Sequence, residues 1–332
     1  MPKITEEMIH PELRKKSRAL RKRPQSFSLL KTKLMKMLCR FLKGKHSKEM
    51  QYTQEYITRP DGSRLRICVY TPLEPKENVP GLLWIHGGGY SIGIPEQDDA
   101  FILRFVKASG CVVVSPDYTL SLDKPYPAAL DDCYAALLWL SDNGAKYGMR
   151  QNQIFVGGNS AGGGLAAALT LLARDKGEVP IAFQIPLYPM MDDRPTESST
   201  DNNAPLWFSA VNDASWKLYL GEHYRSESAP VYAAAARASD YTNLPPTCSF
   251  VGSIEPFADE TKTYIENLKV CEIPTHFKVF DGCFHAFDQI CPETEISKEA
   301  VAFLMESFNY AVTNYFAPNK EHEPYETIQT AL

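Results

Sequence analysis

A serine between glycines gives the strongest chemical signal in this chain of 332 residues. The run Gly158-Asn159-Ser160-Ala161-Gly162 has the pattern G-x-S-x-G, and it lies between an apolar, strand-like segment and a small-residue, helix-like segment. A serine held in such a sharp strand-to-helix turn can act as a nucleophile, and glycines beside it allow neighbouring backbone to approach closely. The motif therefore predicts Ser160 as the nucleophile of an acyl-transfer reaction.

A second glycine-rich motif, His86-Gly87-Gly88-Gly89, directly follows a short apolar run. Acyl transfer passes through a tetrahedral oxyanion, which backbone N–H groups stabilise where no side chain blocks their approach. We therefore expect an oxyanion hole formed by the N–H groups of Gly88, Gly89 and Ala161. No Lys-Ser or Lys-Thr follows the glycines, which excludes a P-loop. His86 is interpreted as a structural brace of this loop.

A serine nucleophile needs a base, and the base needs a carboxylate that orients it. His285 is the candidate base, because it lies in a glycine-containing loop after the last predicted strand. The other six histidines fall in the N-terminal arm, the glycine loop, a predicted insertion, a strand or the tail. Glu255 follows another strand and is the predicted acid, with Asp259 as the fallback. The chain order is then nucleophile, acid, base, one of the orders that such triads adopt.

Alternating strand-like and helix-like segments organise most of the chain. Residues 128–143 and 161–174 predict helices, and Pro60-Asp61-Gly62 predicts a hairpin turn. The strand-like segments are 52–58, 65–70, 82–85, 111–115, 154–157, 182–188, 247–252 and 275–280. This alternation favours an α/β fold with a mostly parallel sheet.

The predicted domain boundaries follow from where this alternation begins and breaks. Residues 51–190 and 245–316 form the two parts of one core. Residues 191–244 show no clear strand signal but carry several aromatic residues, which predicts an inserted helical cap over the sheet. Residues 317–332 form a polar tail. Residues 1–50 form a basic, helical N-terminal segment.

The N-terminal segment differs in charge from the rest of the chain. Residues 1–50 carry 15 basic and 4 acidic residues, whereas the whole chain has 35 and 40. From Phe27 onward apolar residues recur every three or four positions with lysines between them, which predicts a basic amphipathic helix that ends at Gly44. Such a helix could lie on an anionic membrane. It could equally pack on the acidic body of its own chain; nucleic-acid binding is not expected.

Composition limits the class of protein further. The eight cysteines are scattered and form no C-x-x-C pair, so neither a metal site nor a disulfide framework is expected. We expect reduced thiols and a cytoplasmic location. No run of 18 apolar residues could form a transmembrane helix. The first ten residues lack the pattern of a secretory signal.

Taken together, these motifs resemble the hormone-sensitive-lipase-like esterases (bacterial esterase type) of the α/β-hydrolase fold, over about residues 52–316. The residues that carry the resemblance are HGGGY at 86–90, DYTLSLDKPYPAALDD at 117–132, GGNSAGGG at 157–164, and the Glu255 and His285 motifs. The resemblance implies an eight-stranded, mostly parallel sheet flanked by helices, with a helical cap built from residues 1–50 and 191–244. It also favours the interpretation that the apolar face of the N-terminal helix covers the pocket. It also implies hydrolysis of carboxylic esters without a cofactor. Asn159, Gly164 and Glu255 depart from the residues usual in the family.

The expected function is therefore that of a serine carboxylesterase acting on small-molecule esters with short to medium acyl chains. Two alternatives remain at this stage: a deacetylase or amidase acting on acylated sugars or arylamides, and a non-catalytic ligand-binding protein on the same scaffold. Tyr90, Trp207, Trp216 and Tyr219 could line the substrate pocket or form the core of the cap. By analogy with related enzymes, pairing of the strand at 275–280 could form a homodimer.

Overall fold

The computed structural model describes residues 3–22 and 26–318. Eight strands form one sheet: β1 (Met50–Thr58), β2 (Arg64–Pro72), β3 (Val79–Ile85), β4 (Val112–Pro116), β5 (Met149–Asn159), β6 (Phe183–Leu187), β7 (Thr247–Gly252) and β8 (Thr275–Phe280). Nine α-helices accompany them in these residues: α1 (Arg14–Arg21), α2 (Leu29–Cys39), α3 (Asp99–Ser109), α4 (Ala128–Asn143), α5 (Ala161–Lys176), α6 (Ser209–Leu220), α7 (Ala258–Val270), α8 (Phe287–Ile290) and α9 (Glu295–Asn314).

The sheet is mostly parallel. Its strand order is β1-β2-β4-β3-β5-β6-β7-β8, and only the pairings of β1 with β2 and of β2 with β4 are antiparallel. Ile85 at the end of β3 is in register with Gly158 near the end of β5. The glycine loop after β3 and the serine motif after β5 therefore emerge side by side at one edge. The predicted fold class is confirmed, and β8 lies at the end of the sheet; pairing between two copies stays a prediction.

Two apolar layers cover the sheet. The buried side chains of α4 and α5 pack on one face, and those of α3 and α9 pack on the other. Strands β3 and β4 are buried along their whole length, which is why their sequences are continuous apolar runs rather than alternating ones. This packing gives the loops at the carboxyl ends of the strands a rigid base.

The connection from β6 to β7 contains α6 and several short 3₁₀ turns. The N-terminal residues contact this connection, because the N–H of Ile4 donates to Oδ1 of Asn203 at 2.7 Å. They also contact the loop after β8, where the N–H of His10 donates to the carbonyl of Gly282 at 2.9 Å. Of the predicted polar tail, residues 319–332 lie outside the described residues.

Most of the apolar side of α2 faces solvent rather than a pocket. The side toward the body carries the partly buried Thr32, Lys36 and Cys39, and Lys36 pairs with Asp123. Lys43, beyond the helix, pairs with Asp117. Helix α2 has no fully buried residue. Of the predicted apolar face, Phe27 lines a cavity, whereas Leu30, Leu34, Leu38 and Phe41 are exposed and do not cover it.

Candidate active site

Ser160 lies in a strained turn between β5 and α5. Its backbone has φ 56° and ψ −121°, a conformation that non-glycine residues adopt only when the surrounding structure enforces it. The chain passes so close to β3 here that a Cβ on Gly162 would lie 2.0 Å from the carbonyl oxygen of Ile85, and one on Gly158 would lie 2.4 Å from it. Glycine is therefore required on both sides of the serine.

The side chains of Ser160, His285 and Glu255 form one hydrogen-bonded chain. Nε2 of His285 lies 2.8 Å from Oγ of Ser160, and Nδ1 of the same ring contacts Oε2 of Glu255. The other carboxylate oxygen of Glu255 accepts from the N–H of Gly252 at 2.8 Å. All three side chains are buried or nearly so. The loops after β5, β7 and β8 thus bring together the three residues that the sequence predicted.

Asp259, the fallback acid, lies elsewhere. Its carboxylate accepts from the N–H of Ser198 at 2.6 Å, and its own N–H donates to Oγ of Ser198 at 3.0 Å. These contacts tie the start of α7 to the connection after β6. In this arrangement Glu255, not Asp259, holds the imidazole.

Aromatic rings surround His285. Tyr188 and Phe257 meet the imidazole edge-on, with ring centroids 5.1 Å and 4.9 Å away, and the Trp207 ring lies 6.0 Å away. These rings restrict the orientation of the imidazole and limit the access of water. A positive charge that develops on the His285 imidazole is therefore stabilised mainly by the carboxylate of Glu255.

The glycine loop after β3 supplies N–H groups that have no acceptor. Within residues 3–22 and 26–318, no acceptor contacts the N–H groups of Gly88, Gly89 or Ala161. Gly88 and Gly89 have φ of 127° and 57°, values that favour glycine. Gly87 packs on the serine turn, where a Cβ would lie 2.2 Å from Oδ1 of Asn159. The loop can therefore offer donors to an oxyanion beside Ser160.

His86 is fully buried beneath this loop. Its Nδ1 lies 2.9 Å from the carbonyl oxygen of Gly87, and its ring stacks on Tyr118 with centroids 4.2 Å apart. Burial lowers the pKa of His86 to about 4, so the ring is neutral at physiological pH and its Nδ1–H donates to Gly87. These contacts hold the loop in place, in line with the structural role inferred from the sequence.

A cavity of about 170 Å³ opens next to the glycine loop. Its lining residues come from the segment around α2, the glycine loop and the cap: Ser26, Phe27, Ser28, Lys31, Thr32, Met35, Gly88, Ser91, Ile92, Trp207, Val211 and Ser215. Gly88 and Trp207 connect this cavity to the predicted oxyanion hole and to His285. The cavity therefore lies beside the predicted oxyanion hole, between the N-terminal segment and the cap.

Of the four aromatic residues considered for the pocket, Trp207 alone lines this cavity. Tyr90, Trp216 and Tyr219 are at most 2% exposed. Tyr90 stacks on Tyr219 with centroids 3.9 Å apart, and its hydroxyl donates to the carbonyl of Met190 at 2.5 Å. The structure does not bring these three to the cavity, because their rings pack on one another as the core beneath the cap.

Two buried carboxylates near the site escaped the sequence analysis. The first, Asp98, accepts at Oδ2 from Nδ2 of Asn159 at 2.6 Å and from Nε1 of Trp84 at 2.9 Å. Burial raises the pKa of Asp98 to about 6. Asp98 thereby anchors the residue before the nucleophile. The signal in the sequence was Asn159 itself, whose amide is a donor where the family usually has an acidic residue.

The second buried carboxylate, Asp288, lies three residues after the predicted base. The hydroxyl of Tyr188, whose ring packs on His285, donates to Oδ2 of Asp288 at 3.4 Å and accepts from Nε2 of Gln289 at 2.9 Å. Burial raises the pKa of Asp288 to about 7. No motif marked this residue, because only the fold brings it under Tyr188.

Comparisons with known proteins agree with this fold. A family model described as alpha/beta hydrolase fold matches residues 82–289. The chain is 36% identical over 207 residues to carboxylesterase NlhH of Mycobacterium tuberculosis, covering 61% of this chain and 64% of that protein. It is 33% identical over 231 residues to esterase LipI of the same organism, covering 69% and 71%. The chain thus spans just under two thirds of NlhH.

Solved structures give the same picture. A bacterial heroin esterase superimposes with a TM-score of 0.85 at 33% identity, covering 93% of this chain and 99% of that one. An esterase of Pyrobaculum calidifontis superimposes with a TM-score of 0.79 at 30% identity, covering 92% and 99%. Fold and site thus define an α/β hydrolase with a serine nucleophile motif.

The chain belongs to the α/β-hydrolase family whose members include the hormone-sensitive-lipase-like bacterial esterases. The resemblance inferred from the sequence motifs is confirmed.

The close approach of β3 to the serine turn predicts the effect of Gly162→Ala. The new Cβ would collide with the Ile85 carbonyl, so the variant should lose several kcal/mol of unfolding free energy, measured by urea denaturation. Gly177→Ala is the matched control, because a Cβ there meets nothing within 4 Å and only φ of +66° opposes it; it should cost about 1 kcal/mol. Equal losses in the two variants would contradict the steric account.

The buried carboxyl of Asp288 predicts a pH-dependent effect of Asp288→Asn. The folded pKa is about 7 against an ordinary value of 3.8, so the wild type loses stability as the pH rises through this interval, and the amide does not. Relative to the wild type, the free energy of unfolding of the variant should rise by about 4 kcal/mol between pH 4 and pH 8. Denaturation at both pH values measures this, with the exposed Asp142→Asn as control. A constant difference across the pH range would refute the prediction.

Proposed function

We propose that this protein is a serine carboxylesterase with the triad Ser160, His285 and Glu255. The observation that carries the proposal is the buried hydrogen-bonded chain from Oγ of Ser160 through the imidazole to the Glu255 carboxylate. The names of the relatives, carboxylesterase and esterase, support the same reaction class.

In the first half-reaction, Oγ of Ser160 attacks the ester carbonyl carbon while Nε2 of His285 takes the hydroxyl proton. Glu255 accepts the hydrogen bond from Nδ1, which fixes the tautomer and stabilises the imidazolium. The tetrahedral intermediate carries its negative charge on the former carbonyl oxygen, and the N–H groups of Gly88, Gly89 and Ala161 donate to it. His285 then protonates the leaving alcohol as the C–O bond breaks, which leaves an acyl-enzyme.

In the second half-reaction, water attacks the acyl carbonyl and His285 takes its proton. The tetrahedral intermediate collapses, Oγ of Ser160 recovers the proton, and the carboxylic acid leaves. Each half-reaction starts with a neutral imidazole and ends with one. No step requires a metal ion or an organic cofactor.

The cavity supports substrates with short to medium acyl chains. Its volume of about 170 Å³ is below the range of about 300–1,000 Å³ of most small-molecule sites. Phe27, Met35 and Trp207 give it apolar walls beside the glycine loop. An apolar group of a few carbon atoms fits such a space, and a longer chain would have to extend toward solvent past α2.

We also infer that the protein works in the cytoplasm. All eight cysteines lie within the described residues and are free thiols, and six of them are buried. Free thiols persist in a reducing compartment. In residues 3–22 and 26–318, no helix is both long and apolar enough to cross a membrane.

The central test measures hydrolysis of p-nitrophenyl esters from acetate to laurate by the wild type and three variants. Ser160→Ala should lower kcat by about 10⁶. Glu255→Gln should lower it by about 10⁴, since the imidazole loses its partner. Asp259→Asn should change kcat only a few-fold, because that carboxylate contacts Ser198.

The rate should be greatest for a short chain. Wild-type turnover by Ser160→Ala would overturn the proposed nucleophile. A larger loss in Asp259→Asn than in Glu255→Gln would reassign the acid, and no turnover of any ester by the wild type would argue for a ligand-binding protein.

A further inference from the structure

The outer face of α2 and of the turn that follows it is apolar and exposed. Its members recur with helical spacing, so they share one side: Leu30, Leu34, Met37, Leu38 and Phe41, called here the α2 apolar face. Leu30 is 79% exposed and Phe41 is 70% exposed. Large apolar side chains clustered on one exposed face mark an interaction site, whereas scattered ones do not.

Positive charge flanks the α2 apolar face. Residues 26–48 contain seven Lys and Arg and no acidic residue. Lys36 and Lys43 pair with Asp123 and Asp117 of the body. The other five basic residues have no ion pair within the part of the chain that the structure describes: Lys31, Lys33, Arg40, Lys45 and Lys48. The helix therefore presents apolar side chains between unneutralised cations.

Other residues of the same segment border the cavity beside the catalytic site. Phe27, Lys31 and Met35 border the cavity that reaches Gly88 and Trp207. A surface that contacts the α2 apolar face would therefore lie next to this cavity. The α2 apolar face and the wall of the cavity thus belong to the same segment.

We propose that the α2 apolar face docks on an anionic lipid surface. Apolar side chains flanked by Lys and Arg are the pattern of helices that lie in the membrane interface, where the apolar side enters the acyl region and the cations contact anionic headgroups. The side of α2 that carries Lys36 contacts the body, so the α2 apolar face points outward before any lipid is present. Docking places the cavity at the lipid surface, so lipophilic esters can enter from the membrane.

A second copy of the chain is the other occupant to consider. Two-fold packing of α2 on α2 would bring the two basic segments together, and the repulsion between like charges opposes that arrangement. An anionic lipid surface has charge complementary to all five unpaired cations. The lipid surface is therefore the occupant that the charges favour.

The test is co-sedimentation of the full chain with phosphatidylcholine vesicles, with and without phosphatidylglycerol. We expect binding to the phosphatidylglycerol vesicles that weakens as salt is raised. The double variant Leu30→Ser/Phe41→Ser should bind at least about tenfold more weakly. The matched control is Leu73→Ser/Val270→Ser, which removes two exposed apolar residues elsewhere and should bind like the wild type. Lys33→Gln/Arg40→Gln should weaken binding only to the anionic vesicles.

Three results would overturn the proposal: absence of vesicle binding by the wild type, equal binding by the two double-serine variants, or a dimer in solution that Leu30→Ser/Phe41→Ser dissociates. The part of this proposal in which docking delivers lipophilic esters to the cavity rests on the proposed esterase function. Hydrolysis of p-nitrophenyl acetate without vesicles tests that function separately, and Leu30→Ser/Phe41→Ser should retain it, since neither residue lines the cavity. Vesicle binding without hydrolysis would overturn the esterase and leave the docking surface intact.

Discussion

The backbone of Ser160, held at positive φ, is the constraint on which the rest of the site depends. A strained residue stays in place only where the structure around it leaves no alternative. Here β3 passes within contact of Gly158 and Gly162, and Asp98 holds Asn159 from beneath. The same approach of β3 to β5 places the glycine loop beside the serine, so one packing arrangement positions both the nucleophile and the donors for the oxyanion.

Burial of the site also affects the ionisation of its carboxyl groups. Glu255 lies fully buried, with the N–H of Gly252 and the imidazole of His285 as its partners. In Asp98 and Asp288, which lie nearby, Oδ1 has no hydrogen-bond partner among the described residues, and burial raises the pKa of both. Ionising these two carboxyls costs stability. The protein is therefore less stable than it would be without these polar groups, which lie near the nucleophile in a site from which water is largely excluded.

The sequence alone predicted the features that depend on local pattern. Apolar runs predicted the strands, and the glycines around Ser160 predicted the sharp turn, because those signals lie within a few residues of one another. The side of α2 that contacts the body could not be predicted in this way, since its partner Asp123 lies far along the chain. Asp288 lies under Tyr188 only in the folded chain. For the aromatic residues of the cap, the sequence did not distinguish those that line a pocket from those that pack as a core.

The account rests on Ser160 as an activated nucleophile. Incubation with a fluorophosphonate, followed by intact-mass and peptide mass spectrometry, tests this most directly, because the reagent phosphonylates a serine that a neighbouring base has activated. We expect one adduct per chain on the peptide that contains Ser160, and none in His285→Ala. An unmodified chain, or an adduct on another residue, would contradict the account.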